Sequence, residues 1–257
     1  MKDNPKVSII TVVYNGEEFL EETILSVLNQ SYENIEYVII DGGSTDGTVD
    51  IIKKYEDKID YWVSEPDKGI YNAMNKGLQV VNGDYIAILN ADDYYVENAI
   101  ESNIKILRES DCDYTIANVQ FINGTIIKPI IPLKTRVYQE MPYPHVSALI
   151  ANYIYNDVGL FDEDFKIAGD HDMAVRIISK GYKSCYNNTI VAFLEDGGIS
   201  DGYKSNYESC RVAIKNGKSI YNAYFIYLKQ IFKLFLAKNL PLSVVKYLQR
   251  IKGSRFE

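Results

Sequence analysis

Along the first hundred residues, hydrophobic positions switch repeatedly between a strand period and a helix period. "VSIITVVY" (7–14) is rich in β-forming residues, and Leu20, Ile24, Val27 and Leu28 then recur at helical spacing. "IEYVIID" (35–41) predicts a second strand, followed by a short helix marked by Val49, Ile51, Ile52 and Tyr55. A third strand is expected at "DYWVSE" (60–65) and a third helix from Ile70, Ala73, Met74, Leu78 and Val81. A fourth strand, "DYIAIL" (84–89), precedes a further helix beginning near Glu97. Alternation of this kind needs crossover connections, so the expected fold is α/β: a Rossmann-like, mostly parallel sheet with helices on both faces.

The second half is patterned differently. "TIANVQFINGTIIKPII" (115–131) predicts a hairpin turning at Asn123-Gly124, "SALIAN" (147–152) another strand, and Asp172 to Lys180 a helix. No repeat, low-complexity segment or linker interrupts the chain before about residue 205, so one domain is expected over 1–205 and an appendage over 206–257.

Composition adds limits. With 47% hydrophobic and 24% charged residues over 257 positions, the chain is globular rather than disordered. The opening "MKDNPKVSII" carries no apolar segment of the signal-peptide kind. Cys112, Cys185 and Cys210 are odd in number and widely spaced, which predicts neither a disulfide framework nor a metal knuckle and fits a reducing cytoplasm. The net charge of −8 is unevenly spread: residues 1–210 carry −17 and residues 211–257 carry +9. An acidic body argues against nucleic-acid binding, and a basic end points to an anionic surface.

In open α/β sheets ligands bind beyond the carboxyl ends of the strands. Polar residues collect there four times: Tyr14-Asn15, Asp41-Gly42-Gly43-Ser44, Glu65 to Lys68, and Asn90-Ala91-Asp92-Asp93. Adjacent carboxylates such as Asp92 and Asp93 repel unless solvated or matched by a cation or by donors. A solvated turn, with Asp93 capping the next helix, is one reading, and a ligand site shared by four loops is the other.

Four ordered stretches carry a resemblance: "VSIITVVYNGEEFLEETILSVLNQSYENIEYVIIDGGSTDGT", "DKGIYNAMNKGL", "GDYIAILNADD" and "GLFDEDFKIAGDHDMAVRI". Together, over roughly residues 5–200, they resemble family 2 glycosyltransferases of the GT-A type, inverting enzymes that move a sugar from a nucleotide diphosphate to a hydroxyl. The resemblance makes 1–95 the nucleotide-sugar half and 96–205 the acceptor half. It implies a nucleobase contact for Asp41, whose carboxylate can accept the imide N–H of uracil or thymine, with a UDP-sugar as the expected donor; a strand-end turn role is the alternative. The family commonly has a second Asp where Gly42 stands. Thr11, Val12 and Tyr14 fall where the family wraps the base, while Ser44 and Thr45 are expected to cap the following helix. Asp67 and Lys68 follow in the donor-site order, Lys68 being either a phosphate contact or a solvated loop charge.

Asp92 and Asp93 match the family's metal motif, called DxD. A Mg2+ or Mn2+ ion there would offset the charge of a departing diphosphate, with Asp93 as direct ligand and Asp92 on the ribose or a metal-bound water. Asp170 matches the base that accepts the acceptor hydroxyl's proton. The Glu that usually precedes it is Gly169, and Asp172 is a rival; both acids also suit a helix N-terminus. His145 lies near a position facing acceptor or diphosphate, although a structural hydrogen-bonding role fits a lone His equally. "EDGGISDG" (195–202) reads as a loop that closes over the donor.

Residues 219–250 interleave aromatics and aliphatics with lysines, without the roughly 20 apolar residues needed to span a bilayer. A helix lying on anionic lipid is one expectation; packing on the catalytic domain or on a second subunit is the other. The combined reading is a metal-dependent inverting glycosyltransferase. It would act on a lipid-linked or oligosaccharide acceptor in surface-polysaccharide synthesis, in the cytoplasm at the inner face of the plasma membrane. The alternatives are a non-catalytic nucleotide-sugar binding module, which Gly169 keeps open, and a nucleotidyltransferase. The latter calls for basic phosphate-binding residues after strand one, where "YNGEEF" offers acids.

Overall fold

The computed structural model describes residues 4–131, 134, 137–195 and 203–239. β1 (Val7–Val13) is buried at every position, as a strand with both faces covered must be, and its two polar residues, Ser8 and Thr11, have hydroxyl partners on β2 in Glu36 and Tyr37. It pairs in parallel with β2 (Ile35–Asp41) on one side and β4 (Tyr85–Asn90) on the other, and β3 (Tyr61–Ser64) extends the sheet beyond β2. The crossovers are α1 (Leu20–Leu28), α2 (Thr48–Lys54) and α3 (Ile70–Val80). α3 lies so close to β1 that a Cβ on Gly77 would come within 2.5 Å of the Ile10 side chain.

The second half contributes β5 (Tyr94–Tyr95), α4 (Ala99–Glu109), β6 (Tyr114–Phe121), β7 (Ile126–Ile127), β8 (Leu149–Ala151), α5 (Asn152–Val158), α6 (Gly169–Lys180), β9 (Ser184–Leu194), α7 (Tyr203–Lys215) and α8 (Ile220–Asn239). The strands form one sheet in the order β3-β2-β1-β4-β8-β6-β9-β5, with β7 on β6 as the expected hairpin at Gly124. β8 runs antiparallel to both β4 and β6, β6 and β9 are parallel, and β5 is antiparallel to β9. The α/β expectation holds, but the sheet is parallel through the first four strands and mixed beyond them.

Three local expectations are corrected. The helix after Asp93 begins at Ala99, and Asp93 is buried rather than capping it. Ser44 and Thr45 do not cap α2, which starts after Gly47; the Ser44 hydroxyl turns back onto Asp41. Cys112 and Cys185 are joined by a disulfide, not unpaired, and Cys210 is a buried free thiol. The bond was illegible because β9 was. Its polar "NNT" (187–189) breaks the alternation where the β6–β9 register shifts, and only that pairing brings the two cysteine Cα atoms to 5.9 Å.

The expected boundary near 205 falls inside α7, whose Val212 belongs to the main core. α8 then packs on α7 through Ala223 and Tyr227, against Cys210, Ala213 and Ile214. Among the described residues no helix is long and apolar enough to cross a membrane.

Candidate active site

The register of the parallel strands aligns their carboxyl ends: Val13 lies beside Asp41, Asp41 beside Ser64, and Val12 beside Asn90. Four loops therefore leave the sheet at one level, as the polar clusters predict. At its centre Asp41 is fully buried and saturated. Its carboxylate accepts from the Gly43 N–H at 3.2 Å, the Ser44 N–H at 3.0 Å and the hydroxyls of Ser44 and Ser64. Here Asp41 shapes the loop beneath the surface. Above it Tyr14 is 65% exposed, so it is not core. A Cβ on Gly42 would lie 2.4 Å from the Asp67 carboxylate and 3.4 Å from the Tyr14 ring. The space left by the family's missing second Asp is thus taken by the carboxylate of Asp67. Thr11 and Val12 are buried, Thr11 with its hydroxyl 3.2 Å from that of Tyr37, and Lys68 is exposed.

Asp92 and Asp93 have opposite environments. Asp92 is exposed and Asp93 is 5% exposed. The loop is held by Thr23 of α1, whose hydroxyl reaches the carbonyls of Ala91 and Asp93, both at 2.8 Å. The Asn90 amide donates to the Asp93 carboxylate at 3.3 Å. Burial, reinforced by the neighbouring Asp92 charge, pushes the Asp93 carboxyl up to about 7, against a weaker downward pull from His145. The Oδ1 of Asn90 is buried without a partner.

Asp170 stands in the first turn of α6, with its carboxylate 3.5 Å from Nδ1 of His145. About a quarter of each side chain stays exposed, 26% for His145 and 22% for Asp170. Burial alone would lower the imidazole pKa and raise the carboxyl pKa. The pairing outweighs it, so His145 is shifted up and Asp170 down. Nε2 of His145 is buried and unpartnered. His145 thus interacts with the charge of Asp170 and also with those of Asp93 and Asp92.

The segment before Asp170 is held by residues to which the sequence reading gave no role. Asn75 of α3 pairs with both backbone groups of Phe161, at 2.9 and 2.8 Å. The Tyr71 hydroxyl donates to the Ile167 carbonyl at 2.7 Å and lies 3.2 Å from the Asp170 carboxylate. Glu208 of α7 is 9% exposed and accepts the N–H groups of Lys166, Ile167 and Ala168 at 2.8–3.1 Å. Tyr71 and Asn75 sit inside the quoted "DKGIYNAMNKGL", so the motif signalled them; nothing marked Glu208. Tyr71 also accounts for Gly169: a Cβ there would meet the tyrosine ring at 2.7–2.8 Å.

Asp172, the rival base, is fully buried. Arg176 Nε at 2.9 Å, Lys215 Nζ at 2.9 Å and Asn216 Nδ2 at 2.9 Å occupy it, so it ties α6 to α7. His171 is equally internal, with Nε2 on the Val137 carbonyl at 2.6 Å. Of the expected closing loop, residues 196–202 lie outside the described residues, as does 240–250 of the expected amphipathic stretch.

Among the described residues no group of three or more His, Cys, Asp or Glu side chains is gathered closely enough to hold a metal. The donor set is one buried carboxylate, one exposed carboxylate and an unpartnered amide oxygen. Hard oxygen donors too few to close a coordination shell suit an ion that takes its other ligands from phosphate and water.

A parallel half-sheet with its polar residues at the carboxyl rim, continued by a mixed half, is the GT-A form of the α/β fold. The protein is structurally similar to TarS of S. aureus (residues 1–349, complex with UDP-GlcNAc), with a TM-score of 0.70, 18% identity and coverage of 93% of this chain and 77% of that one. It is also similar to the mannosyltransferase PcManGT of Pyrobaculum calidifontis, in complex with GDP-Man and Mn2+, with a TM-score of 0.66, 18% identity and coverage of 99% and 81%. The family described as Glycosyl transferase family 2 matches residues 8–153, and the chain belongs to that family. An uncharacterised glycosyltransferase of Rickettsia typhi is 34% identical over 190 residues, 67% of this chain and 59% of that protein. TuaG of Bacillus subtilis, named for teichuronic acid biosynthesis, is 37% identical over 133 residues, 49% and 52% of the two chains. The matched part spans little more than half the length of each of these two relatives.

Proposed function

We propose that the protein is an inverting glycosyltransferase that moves a sugar from a nucleotide diphosphate, by preference a UDP-sugar, to a hydroxyl of a saccharide or lipid-linked acceptor in surface-polysaccharide synthesis. The observation that carries the reading is His145, which lies 3.5 Å from the Asp170 carboxylate and also interacts with the charges of Asp93 and Asp92 beyond the end of β4, residues far apart in sequence. Support for the donor comes from the complexes of TarS with UDP-GlcNAc and of PcManGT with GDP-Man. TuaG's name supports the polysaccharide setting.

In this reading Tyr14, Gly42 and Asp67 frame the base slot, with the Asp67 carboxylate facing the base and Asp41 anchoring the loop below. Asp93 would hold Mg2+ or Mn2+, assisted by Asp92 and the Asn90 carbonyl. When bound, the ion neutralises the leaving diphosphate. A carboxylate held near 7 by burial and a like charge is short of a cation, which is the physical case for that assignment. Asp170, held ionised by His145, takes the proton of the acceptor hydroxyl as its oxygen bonds to the anomeric carbon and the bond to the diphosphate breaks. The pairing also aims the carboxylate.

A binding module without catalysis is the second reading, favoured only by Gly169. Tyr71 fills that space and approaches Asp170, so the glycine is a packing requirement, not the scar of a lost base. The decisive measurement is sugar release or transfer from UDP-, GDP- and dTDP-sugars with and without Mn2+, alongside donor-induced thermal shift. The proposal expects one donor to stabilise the protein and to be turned over. Stabilisation without turnover by any donor supports the module, and no response to any donor ends both readings.

A further inference from the structure

One face of α8 is apolar and exposed among the described residues. Ile220, Tyr221, Tyr224, Phe225, Leu228 and Phe232 are exposed, from 43% at Tyr224 to 88% at Tyr221. At about 100° per residue these six fall within roughly 140° of one side of the helix. The other side is seated on the protein: Ala223 is buried with Cys210 and Ala213, Tyr227 packs against that cluster and against the Tyr207 ring, and the Gln230 side chain donates to the Gln139 carbonyl at 2.6 Å. Lys229 and Lys233, both exposed, border the apolar face just beyond Phe225. No acidic residue occurs anywhere from 209 to 256.

We propose that this face docks the protein on an anionic lipid bilayer, with α8 lying in the plane of the interface. Large aromatic side chains flanked by lysines suit the boundary between acyl chains and headgroups: the rings enter, and the ammonium groups stay with the phosphates. A second copy is the poorer occupant. Pairing two α8 helices would set lysine against lysine with no carboxylate on either to offset them. Over its described residues α8 is not long and apolar enough to cross a bilayer.

Docking here also has a consequence for the cleft, resting on the transferase reading. α8 sits on α7, and α7 carries Glu208, which grips the backbone just ahead of Asp170. The lipid surface would then lie one helix away from the segment that presents the acceptor's base. That places a membrane-embedded acceptor within reach.

The test is co-sedimentation of the full 257-residue chain with phosphatidylcholine vesicles, with and without phosphatidylglycerol at roughly one part in three. The proposal expects strong sedimentation with the anionic vesicles only, weakened by salt. F225S/F232S should lower the partition coefficient by about tenfold or more. K229E/K233E, at exposed positions where misfolding is not expected, should lower it by about tenfold on anionic vesicles. No sedimentation with anionic vesicles overturns the proposal. So does sedimentation unchanged by both double substitutions, or a dimer in light scattering that F225S/F232S splits while vesicles capture nothing. Vesicle binding needs no donor, so donor-induced stabilisation scored in parallel separates failure of the docking face from failure of the transferase reading.

Discussion

The Asp93 side of the cleft is built from strand ends that are neighbours in the sheet, whereas the Asp170 side is one loop and one helical turn held by side chains from far along the chain. On the first side, backbone pairing of β1, β2, β3 and β4 sets the rim, and side chains such as Thr23, Ser64 and Asn15 reinforce its loops. On the second, Asn75, Tyr71 and Glu208 fasten residues 161–168, from 86, 96 and 40 positions away. The difference teaches where each side is fragile. A rim set mainly by a sheet fails chiefly when the sheet does, while a loop held by side chains can be misplaced by changing one of them.

The largest expected effect tests whether the two acids of α6 have separate roles. Asp170→Asn should lower turnover by roughly 10²–10⁴-fold with donor affinity retained, read as kcat against donor KM. Asp172→Ala should do the reverse. Losing a fully buried carboxylate matched by Arg176 and the partly exposed Lys215 should cost about 2–4 kcal/mol in denaturant unfolding, with turnover per folded molecule largely kept. Equal loss of turnover per folded molecule in both would erase the distinction.

Asp93→Asn probes the other side. The folded carboxyl lies at about 7, above the ordinary 3.8, so ionisation destabilises the fold. Without metal, stability should fall as pH rises from near 4 to about 7 and stay low above that. Asparagine removes the penalty: its melting temperature should exceed the wild type's at pH 8, by an effect on the order of a few kcal/mol, and the gap should close toward pH 4. A gap that widens on acidification would refute the assignment. Metal-dependent turnover should be lost in the same variant.

Smaller effects are expected from the fastenings. Glu208→Ala strands three backbone N–H groups and should lower kcat by about tenfold with little change in donor KM; Glu208→Gln, which keeps an acceptor, should recover part of it. Tyr71→Phe removes the donor to Ile167 while keeping the ring against Gly169, and should lower kcat by only a few-fold. An Ala substitution at 208 that changes melting temperature alone would make Glu208 purely structural.

Much of the first half was legible because its signals are local. A β-branched run such as 7–13 admits few alternatives to a buried strand, and four such runs separated by helical periods imply a parallel sheet whose ends meet. Asp41, Asp67, Asp92 and Asp93 could be placed on one rim from that alone. That Asp41 is already saturated, that Asp67 fills the gap at Gly42, and that Asp93 is buried while Asp92 is not were beyond it, because hydrogen-bond saturation and burial depend on neighbours from other strands.

In the second half, strand spacing is irregular and the pairing is mixed, so β9 and the disulfide it enables went unseen. Two acids in one helical turn, Asp170 and Asp172, look alike in sequence. α7 settles their environments by bringing Lys215 and Asn216 to one, and the loop at 145 does so by bringing His145 to the other. The sequence by itself determined which residues have charge to offer and which strand ends they follow. Only the tertiary structure decided which charges are matched and which still face the cleft, since that depends on partners dozens of residues away.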